Sequence, residues 1–353
     1  RGVLGEIGTY LAMLGKKPLL LWDDIVKQIV GNAVLASVRE AALAPIDVRF
    51  EGEATKEEAQ RVAQIARDQV ADVAVGLGGG KTIDIAKAVA WDVGLKLMTV
   101  PTIAATDAPT SAASVWYDAD SNFTGFECWP FNPDIVLVDT GVIAKAPARS
   151  FAAGMGDALA TWVETEAAYK TRGGNIAGGI PTLAAVAIAR LGFDNLMQYG
   201  IEALRAVRAG VVTPAVEKIV ETNTMHSGLG FESGGLATAH MVANPLSNFP
   251  ECSGLMHGEK VAFGIATQLC LEDDIDVEEK LTIMDFMIQI GLPVTFAELN
   301  LAGISRKRLV EIGDVCAGEG SLCHNHAFPV TAADVVDAMI AADALGTVRK
   351  QAL

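Results

Sequence analysis

The chain has 353 residues, of which 51% are hydrophobic, and carries a formal net charge of −16 at neutral pH. This length predicts two domains or one large one, and the acidic balance excludes a nucleic-acid-binding surface, which needs clustered lysines and arginines. No apolar run reaches the roughly 18 residues of a membrane span, so we expect no membrane partner.

The cysteines and the first residues bear on the cellular compartment. The five cysteines are scattered, and their odd number argues against a disulfide framework. The chain begins at Arg1 without an initiating Met or a signal-peptide pattern, which we interpret as a truncated or processed start. We therefore expect a reducing compartment, the cytoplasm.

The first half alternates between short apolar runs and helical patterns. Helices are predicted near 24–43, after a Thr55/Glu58 capping box, and from Ile83 onward. The predicted strands are 18–23, 46–50, 71–77, 96–100 and 135–138. Strand and helix in turn indicate an α/β domain with a parallel sheet and helices on both faces.

A glycine-rich stretch, Gly78-Gly79-Gly80-Lys81, follows the third strand directly. A Walker A motif would need glycine where Val75 stands, and a dinucleotide GxGxxG motif would need it where Lys81 stands. Both motifs fail by one residue, yet residues without side chains between a strand and a helix let backbone N–H groups approach a phosphate. We therefore predict phosphate binding, with a structural turn as the alternative.

Two other segments of the first half suggest ligand contacts. Asp23 closes the first strand, where an acid can accept hydrogen bonds from a ribose 2′-OH and repel a 2′-phosphate, which favours NAD over NADP. Residues 101–117 hold many small polar side chains and one acid, Asp107, as is typical of a binding loop at the carboxyl edge of a sheet. A solvated acid and a plain connecting loop are the respective alternatives.

The second half is predicted to be helical throughout. Helical patterns cover 152–170, 182–208, 214–227, 235–244, 257–271, 276–290 and 332–344. We therefore predict an all-helical second domain with a boundary near 140–150, which divides the chain into domains 1–145 and 146–353.

Within this half, His240 and His257 lie seventeen residues apart. Pro245 is expected to end the helix that carries His240, and His257 opens the next helix. Alone, such a pair is more typical of core histidines that are hydrogen-bonded to backbone carbonyls than of a metal site. Asp157, near a predicted helix start, would add the carboxylate that completes a three-ligand catalytic metal site, or it could simply complement the helix dipole.

A second group of metal-ligand residue types lies late in the chain, Cys316-x6-Cys323-His324-x-His326. Cysteine and histidine at this density can bind zinc, but a gap of six residues is not a usual chelating spacing. A packed loop with two buried thiols is the preferred interpretation.

These blocks together resemble the glycerol dehydrogenase family of the metal-dependent (iron-type) alcohol dehydrogenases. The resemblance runs almost end to end and is carried by GGGKTIDIAKAVA, PTIAATDAPTSAASVWY, GMGDALATW, GFESGGLATAH and HGEKVAFGIATQL. It implies an N-terminal Rossmann-like NAD domain, a C-terminal helical metal domain, and an active site in the cleft between them. It also implies a homo-oligomer, such as an octamer.

The resemblance further implies site residues by motif position. Asp157, His240 and His257 would hold one divalent metal, Zn²⁺ or alternatively Fe²⁺, and Asp107 would contact a small polyol. The positions that would contact NAD are Asp23, Gly78, Gly79, Gly80, Lys81, Thr82, Asp84, Thr102, Ser111, Ala113 and Tyr117. The implied reaction is NAD-linked oxidation of glycerol to dihydroxyacetone.

The sequence departs from the family pattern at three places that are expected to line the substrate and cofactor sites. Ala105 stands where the family commonly has serine, and Ala243-Asn244-Pro245 stands where the family has a second histidine followed by Asn-Gly. Residues 252–256 replace a histidine-rich segment. None removes a ligand, so they bear on the substrate more than on the chemistry. The alternatives are oxidation of another small diol, a dehydroquinate-synthase-like cyclase, a P-loop phosphotransferase and a non-enzymatic scaffold.

Overall fold

The computed structural model describes residues 1–353, and its N-terminal part alternates between strands and helices. In chain order these elements are α1 (Ile7–Leu14), β1 (Pro18–Trp22), α2 (Asp24–Glu40), β2 (Ile46–Arg49), α3 (Lys56–Asp68), β3 (Val73–Gly78), α4 (Gly80–Val93), β4 (Lys96–Pro101), β5 (Ala113–Tyr117), β6 (Phe123–Cys128), β7 (Ile135–Val136) and α5 (Thr140–Ile143).

Five of the strands form one parallel sheet in the order β2-β1-β3-β4-β7. Successive side chains of β1 enter different apolar cores. Leu19 and Leu21 pack with α3 and α4, whereas Leu20 and Trp22 pack with α1 and α2. Because successive side chains of a strand point to opposite faces, helices cover both faces of the sheet. The predicted α/β domain is confirmed.

Two local predictions in this part are wrong. Residues 113–117, predicted as loop, form β5, which pairs antiparallel with β6 in a separate two-stranded sheet. This segment is a strand because of contacts with residues distant in sequence: Trp116 is buried in the apolar core between the sheet and α3 and α4. Thr55 does cap α3 by accepting from Glu58 N at 3.0 Å, but the Glu58 carboxylate accepts from Glu51 N instead of completing a capping box.

The C-terminal part contains helices and no strand, as predicted. Its helices are α6 (Ala148–Thr171), α7 (Leu183–Arg208), α8 (Pro214–Glu221), α9 (Ser227–Gly234), α10 (Thr238–Leu246), α11 (His257–Leu271), α12 (Val277–Ile290), α13 (Arg306–Cys316) and α14 (Ala332–Ala352). The predicted division at 145/146 falls between α5 and α6. None of the helices has both the length and the apolar character required to cross a membrane.

Several helix bounds differ from the prediction for local reasons. The pattern at 214–227 is divided by a wider, π-type turn at Thr222–His226. The helix predicted from residue 235 begins at Thr238, because Gly235 has a φ of 91° and ends α9. Pro245 lies inside the last turn of α10 instead of ending the helix before it. Helix α13 was not predicted.

Close packing between α6 and α11 sets the position of the site. A Cβ added to Gly258 would lie 1.8 Å from the carbonyl oxygen of Ala153, and one added to Gly156 would lie 2.6 Å from that of Gly258. Only glycine permits such an approach. Since Gly156 precedes Asp157 and Gly258 follows His257, the contact brings those two side chains together.

Candidate active site

Three side chains from three helices converge at one point of the C-terminal part. Asp157 comes from α6, His240 from α10, and His257 is the first residue of α11. One ligand atom from each lies within 4.8 Å of the other two. Asp157 Oδ1 lies 3.4 Å from Nε2 of both imidazoles. The structure thus brings together the three residues predicted as metal ligands.

The charges of this cluster compensate one another. Burial acts to raise the pKa of Asp157, but the imidazoles of His257 and His240 lower it well below its usual range. Burial acts to lower the pKa of His240, but Glu164 and Asp157 hold it well above its usual value. The carboxylate of Asp157 is therefore ionised and faces the Nε2 atoms of two imidazoles.

One carboxylate oxygen of the cluster accepts no hydrogen bond, although two imidazoles lie near it. Asp157 Oδ1 is buried and accepts no hydrogen bond, whereas Oδ2 accepts from Asp107 N at 3.3 Å. An unsatisfied buried carboxylate oxygen is costly. One carboxylate and two imidazoles form a common donor set for a catalytic divalent metal that keeps an open position. The residues present therefore fit a metal ion.

Glu164, a fully buried acid on α6, also belongs to the site but is not among the predicted site residues. Its Oε2 lies 2.5 Å from His240 Nδ1, and its Oε1 accepts from the backbone N–H groups of Ala237 and His240, both at 2.9 Å. The available signal was its spacing of seven residues from Asp157, about two helical turns, which places both acids on one face of α6.

The glycine stretch forms the junction between β3 and α4. Gly79 caps α4 without a side chain, so the first N–H groups of that helix are not satisfied by a capping group. A Cβ added to Gly78 would lie 2.9 Å from Thr82 Oγ1, which explains the need for glycine at this turn. An uncovered helix N-terminus of this kind suits a phosphate.

A cleft of about 610 Å³ runs between this junction and the three-residue cluster. Gly80 and Lys81 line one end, and Asp107 and His257 line the other. A smaller cavity of about 80 Å³ adjoins it and is also lined by Asp107, His240 and His257. Its walls are largely apolar and include Phe123, Phe126, Ile176, Phe231 and Leu236.

Five other residues predicted to contact NAD lie along the two cavities or beneath the glycine turn. Tyr117 lines both cavities, and Ser111 and Ala113 line the smaller one. Thr82 is buried under the glycine turn, and Thr102 N donates to Gly78 O at 3.1 Å. These residues surround the glycine junction or the cavities beside it.

The two acids among the predicted NAD contacts are already engaged with protein groups. Asp84 lines both cavities, but its carboxylate pairs with Lys87 Nζ at 3.1 Å and accepts from Val115 N at 3.1 Å. Asp23 lies at the carboxyl end of β1, where it caps α2 by accepting from Val26 N at 2.7 Å. Its Oδ2 has no hydrogen bond within the chain, so an acceptor remains for a ribose hydroxyl.

The late cysteine–histidine segment does not bring three metal-ligand atoms close to one another. Cys316 and Cys323 are buried thiols, as the preferred interpretation expected. The His326 ring pairs with Thr238 Oγ1 at 2.8 Å and with Glu272 Oε1 at 3.1 Å. The cluster at Asp157 is the one group of metal-ligand residues in the structure.

The family departures fall on different sides of the cavities. Ala105 lines the larger cleft, as do Ser253, Leu255 and Met256 of the altered segment. Ala243 is fully buried in the helical core, so this substitution does not itself face the cavities. Its neighbour Asn244 lines the smaller cavity.

Comparison with known proteins agrees with this geometry. Residues 1–140 match the family model of iron-containing alcohol dehydrogenase. The chain is 42% identical over 348 residues to glycolaldehyde reductase from Halobacterium salinarum (98% of this chain, 94% of that protein) and 43% identical over 339 residues to glycerol dehydrogenase from Citrobacter freundii (96% and 93%). The crystal structure of a probable glycerol dehydrogenase from Sinorhizobium meliloti 1021 has a TM-score of 0.93 and 38% identity, covering 98% and 96%.

Proposed function

This chain belongs to the iron-containing alcohol dehydrogenase family, and we propose that it is a metal-dependent, NAD-linked oxidoreductase that converts glycerol to dihydroxyacetone. The observation that carries the proposal is the unsatisfied buried oxygen of Asp157, which faces His240 and His257 at the end of a cleft that begins at a glycine-lined helix N-terminus. This arrangement combines a metal-binding group with a phosphate-binding turn.

The chemistry divides between bound groups and the chain. A divalent cation held by Asp157, His240 and His257 would supply a Lewis acid that lowers the pKa of an alcohol hydroxyl. NAD would supply the hydride acceptor. Zn²⁺ is our proposed metal, because a set of one carboxylate and two imidazoles suits it. Fe²⁺ is the alternative.

The chain itself would bind and orient the two reactants. The N-terminus of α4 and Gly78–Gly80 would hold the cofactor diphosphate, with Asp23 at the adenosine ribose. Asp107 lines the smaller cavity beside the metal ligands. Burial and the neighbouring Asp157 raise the pKa of Asp107 well above its usual range, and its carboxyl oxygen can accept a hydrogen bond from a substrate hydroxyl. The aromatic side chains of that cavity would exclude water from the reacting carbon.

The test is formation of NADH from glycerol and NAD after chelation and reloading with Zn²⁺ or Fe²⁺. We expect activity to be lost on chelation and to return on reloading. His257→Ala should lose both bound metal and turnover, whereas His324→Ala, an exposed histidine that is not part of the cluster, should keep both. Full turnover by chelated His257→Ala protein would refute the proposal.

Glycolaldehyde is a second candidate substrate because a glycolaldehyde reductase is 42% identical to this chain. Reduction of glycolaldehyde with NADH, measured beside oxidation of glycerol and other small diols, ranks the candidates. Net accumulation of NADH from the alcohols also separates a dehydrogenase from a cyclase that regenerates its cofactor. A clear preference for NADP would contradict the role proposed for Asp23.

A further inference from the structure

The helix that carries His240 lacks a cap of its own. Its N-cap residue, Ala237, offers no side-chain acceptor. The N–H groups of its first turn are bound by side chains from the two helices that carry the other ligands. Glu164 on α6 binds those of Ala237 and His240, and Gln268 on α11 binds that of Ala239 at 3.0 Å. The three ligand-bearing helices are thus tied together at the metal cluster.

Glu164 does more than cap this helix, because its second oxygen contacts the imidazole. A carboxylate can only accept hydrogen bonds, so its contact with His240 Nδ1 requires the proton on Nδ1. In the neutral ring, which is the form that binds a metal, the Nε2 lone pair is then free, and Nε2 is the atom that faces Asp157 Oδ1. The backbone contacts at Oε1 fix the position of the carboxylate, so the ring orientation is fixed as well.

We propose that Glu164 is the positioning residue of the metal centre: it fixes both the tautomer and the orientation of His240, so that Nε2 is presented to the cation. This inference rests on the metal centre of the proposed function. Groups of this kind contribute about 10–100-fold to metal affinity in other proteins. A residue that only stabilised the fold would not change which nitrogen carries the proton.

Glu164→Gln tests this role because the amide keeps the shape and one acceptor. The amide has a single oxygen, which can accept either from the backbone N–H groups of Ala237 and His240 or from His240 Nδ1. Because the first orientation satisfies two donors, we expect the oxygen to face the backbone and the NH₂ group to face Nδ1. The NH₂ group donates, which moves the imidazole proton to Nε2 and removes the ligand lone pair. The variant should therefore fold but bind metal poorly.

Glu272→Gln is the matched control. Glu272 is also a buried acid that faces a histidine nitrogen, His326 Nδ1, at 3.1 Å, but His326 is not part of the metal cluster. Zinc affinity would be measured by competition with a chromophoric chelator. We expect a loss of about 10–100-fold in Glu164→Gln and wild-type affinity in Glu272→Gln. Equal affinity of Glu164→Gln and wild type would overturn the inference.

Nitrogen-15 NMR of the five histidines provides a second measurement that does not depend on a variant folding. In zinc-loaded wild-type protein, we expect His240 to carry its proton on Nδ1 and to bind zinc through Nε2. Zinc bound through Nδ1 would overturn the inference while leaving the proposed function intact. Failure of wild-type protein to bind any divalent metal would instead refute the metal centre itself.

Discussion

Lys260 is a buried ammonium group beside the metal ligands. It lies one helical turn after His257 on α11, lines the larger cleft, and is 8% exposed. Its Nζ donates to a hydroxyl, Ser247 Oγ, at 2.7 Å. Burial lowers the pKa of Lys260 from 10.5 to about 8; Cys252 and Glu259 oppose this change, and Lys81 adds to it. A charged lysine in this position therefore opposes folding.

This pKa predicts a pH dependence of stability. Between pH 8 and 10.5 the unfolded chain holds the Lys260 proton and the folded chain does not, so the free energy of unfolding rises with pH in this window. Below pH 8 both states are protonated and the cost is constant. A shift of this size corresponds to roughly 3 kcal/mol.

We expect Lys260→Met to remove this contribution. Its free energy of unfolding, measured with urea in metal-free protein, should exceed that of wild type most at pH 7.5 (about 3 kcal/mol), and the difference should shrink toward pH 10.5. Lys56→Met, at a side chain that is 61% exposed, serves as the control and should follow the wild-type curve. Parallel curves for Lys260→Met and wild type would contradict the prediction.

At the scale of elements, the approach of α6 to α11 limits what the site tolerates. Gly258→Ala would place a methyl group 1.8 Å from the Ala153 carbonyl oxygen, so the two helices must separate. We expect a loss of about 1–3 kcal/mol or more in the free energy of unfolding and weaker zinc binding, because Asp157 and His257 move apart.

Gly254→Ala is the matched control for this substitution. It lies four residues earlier, before α11, and an added Cβ meets no atom within 4 Å. Its free energy of unfolding should stay within about 0.5 kcal/mol of wild type. Urea unfolding and zinc titration of both variants check the prediction, which is wrong if Gly258→Ala retains wild-type zinc affinity.

The elements that could be predicted are those specified by their own residues. The helix His257–Leu271 was located to the residue, since its apolar positions recur at helical spacing and His257 opens it. The hairpin of β5 and β6 was missed because its order comes from distant packing of Trp116. Glu164 was missed for a similar reason: its partners lie 73 and 76 residues away, and periodicity carries no information about such pairs.

At the scale of the whole molecule, the change from alternating strand and helix patterns to helical patterns alone predicts the fold class. It does not predict the cleft between the two parts. Alternation of strand and helix ends with α5, and helices alone follow, so two architectures were predictable. Their relative placement depends on contacts such as Asp107 N with Asp157 Oδ2 and Thr110 Oγ1 with Thr224 O. Such contacts join residues from both halves, and only the family resemblance implied a cleft between the two domains.

The proposed metal centre connects three helices, so binding a cation should stabilise the helical part of the molecule. A ligand that binds only the folded state adds about 2.7 kcal/mol at one hundred times its Kd. We expect Zn²⁺ to raise the Tm of chelated protein by several degrees, and to increase hydrogen-exchange protection in α6, α10 and α11 but not in β1–β4.

Asp157→Asn separates this effect from nonspecific binding. The substitution removes the negative charge at the unsatisfied oxygen, and the variant should show no zinc-dependent rise in Tm. Asp274→Asn, an exposed acid, should keep the full rise, because the −16 charge of the chain is distributed over many surface acids that could bind zinc weakly. Equal zinc-dependent rises in Tm for wild type and Asp157→Asn would mean that zinc binds to those surface acids. The convergence of Asp157, His240 and His257 would then have a cause other than metal binding.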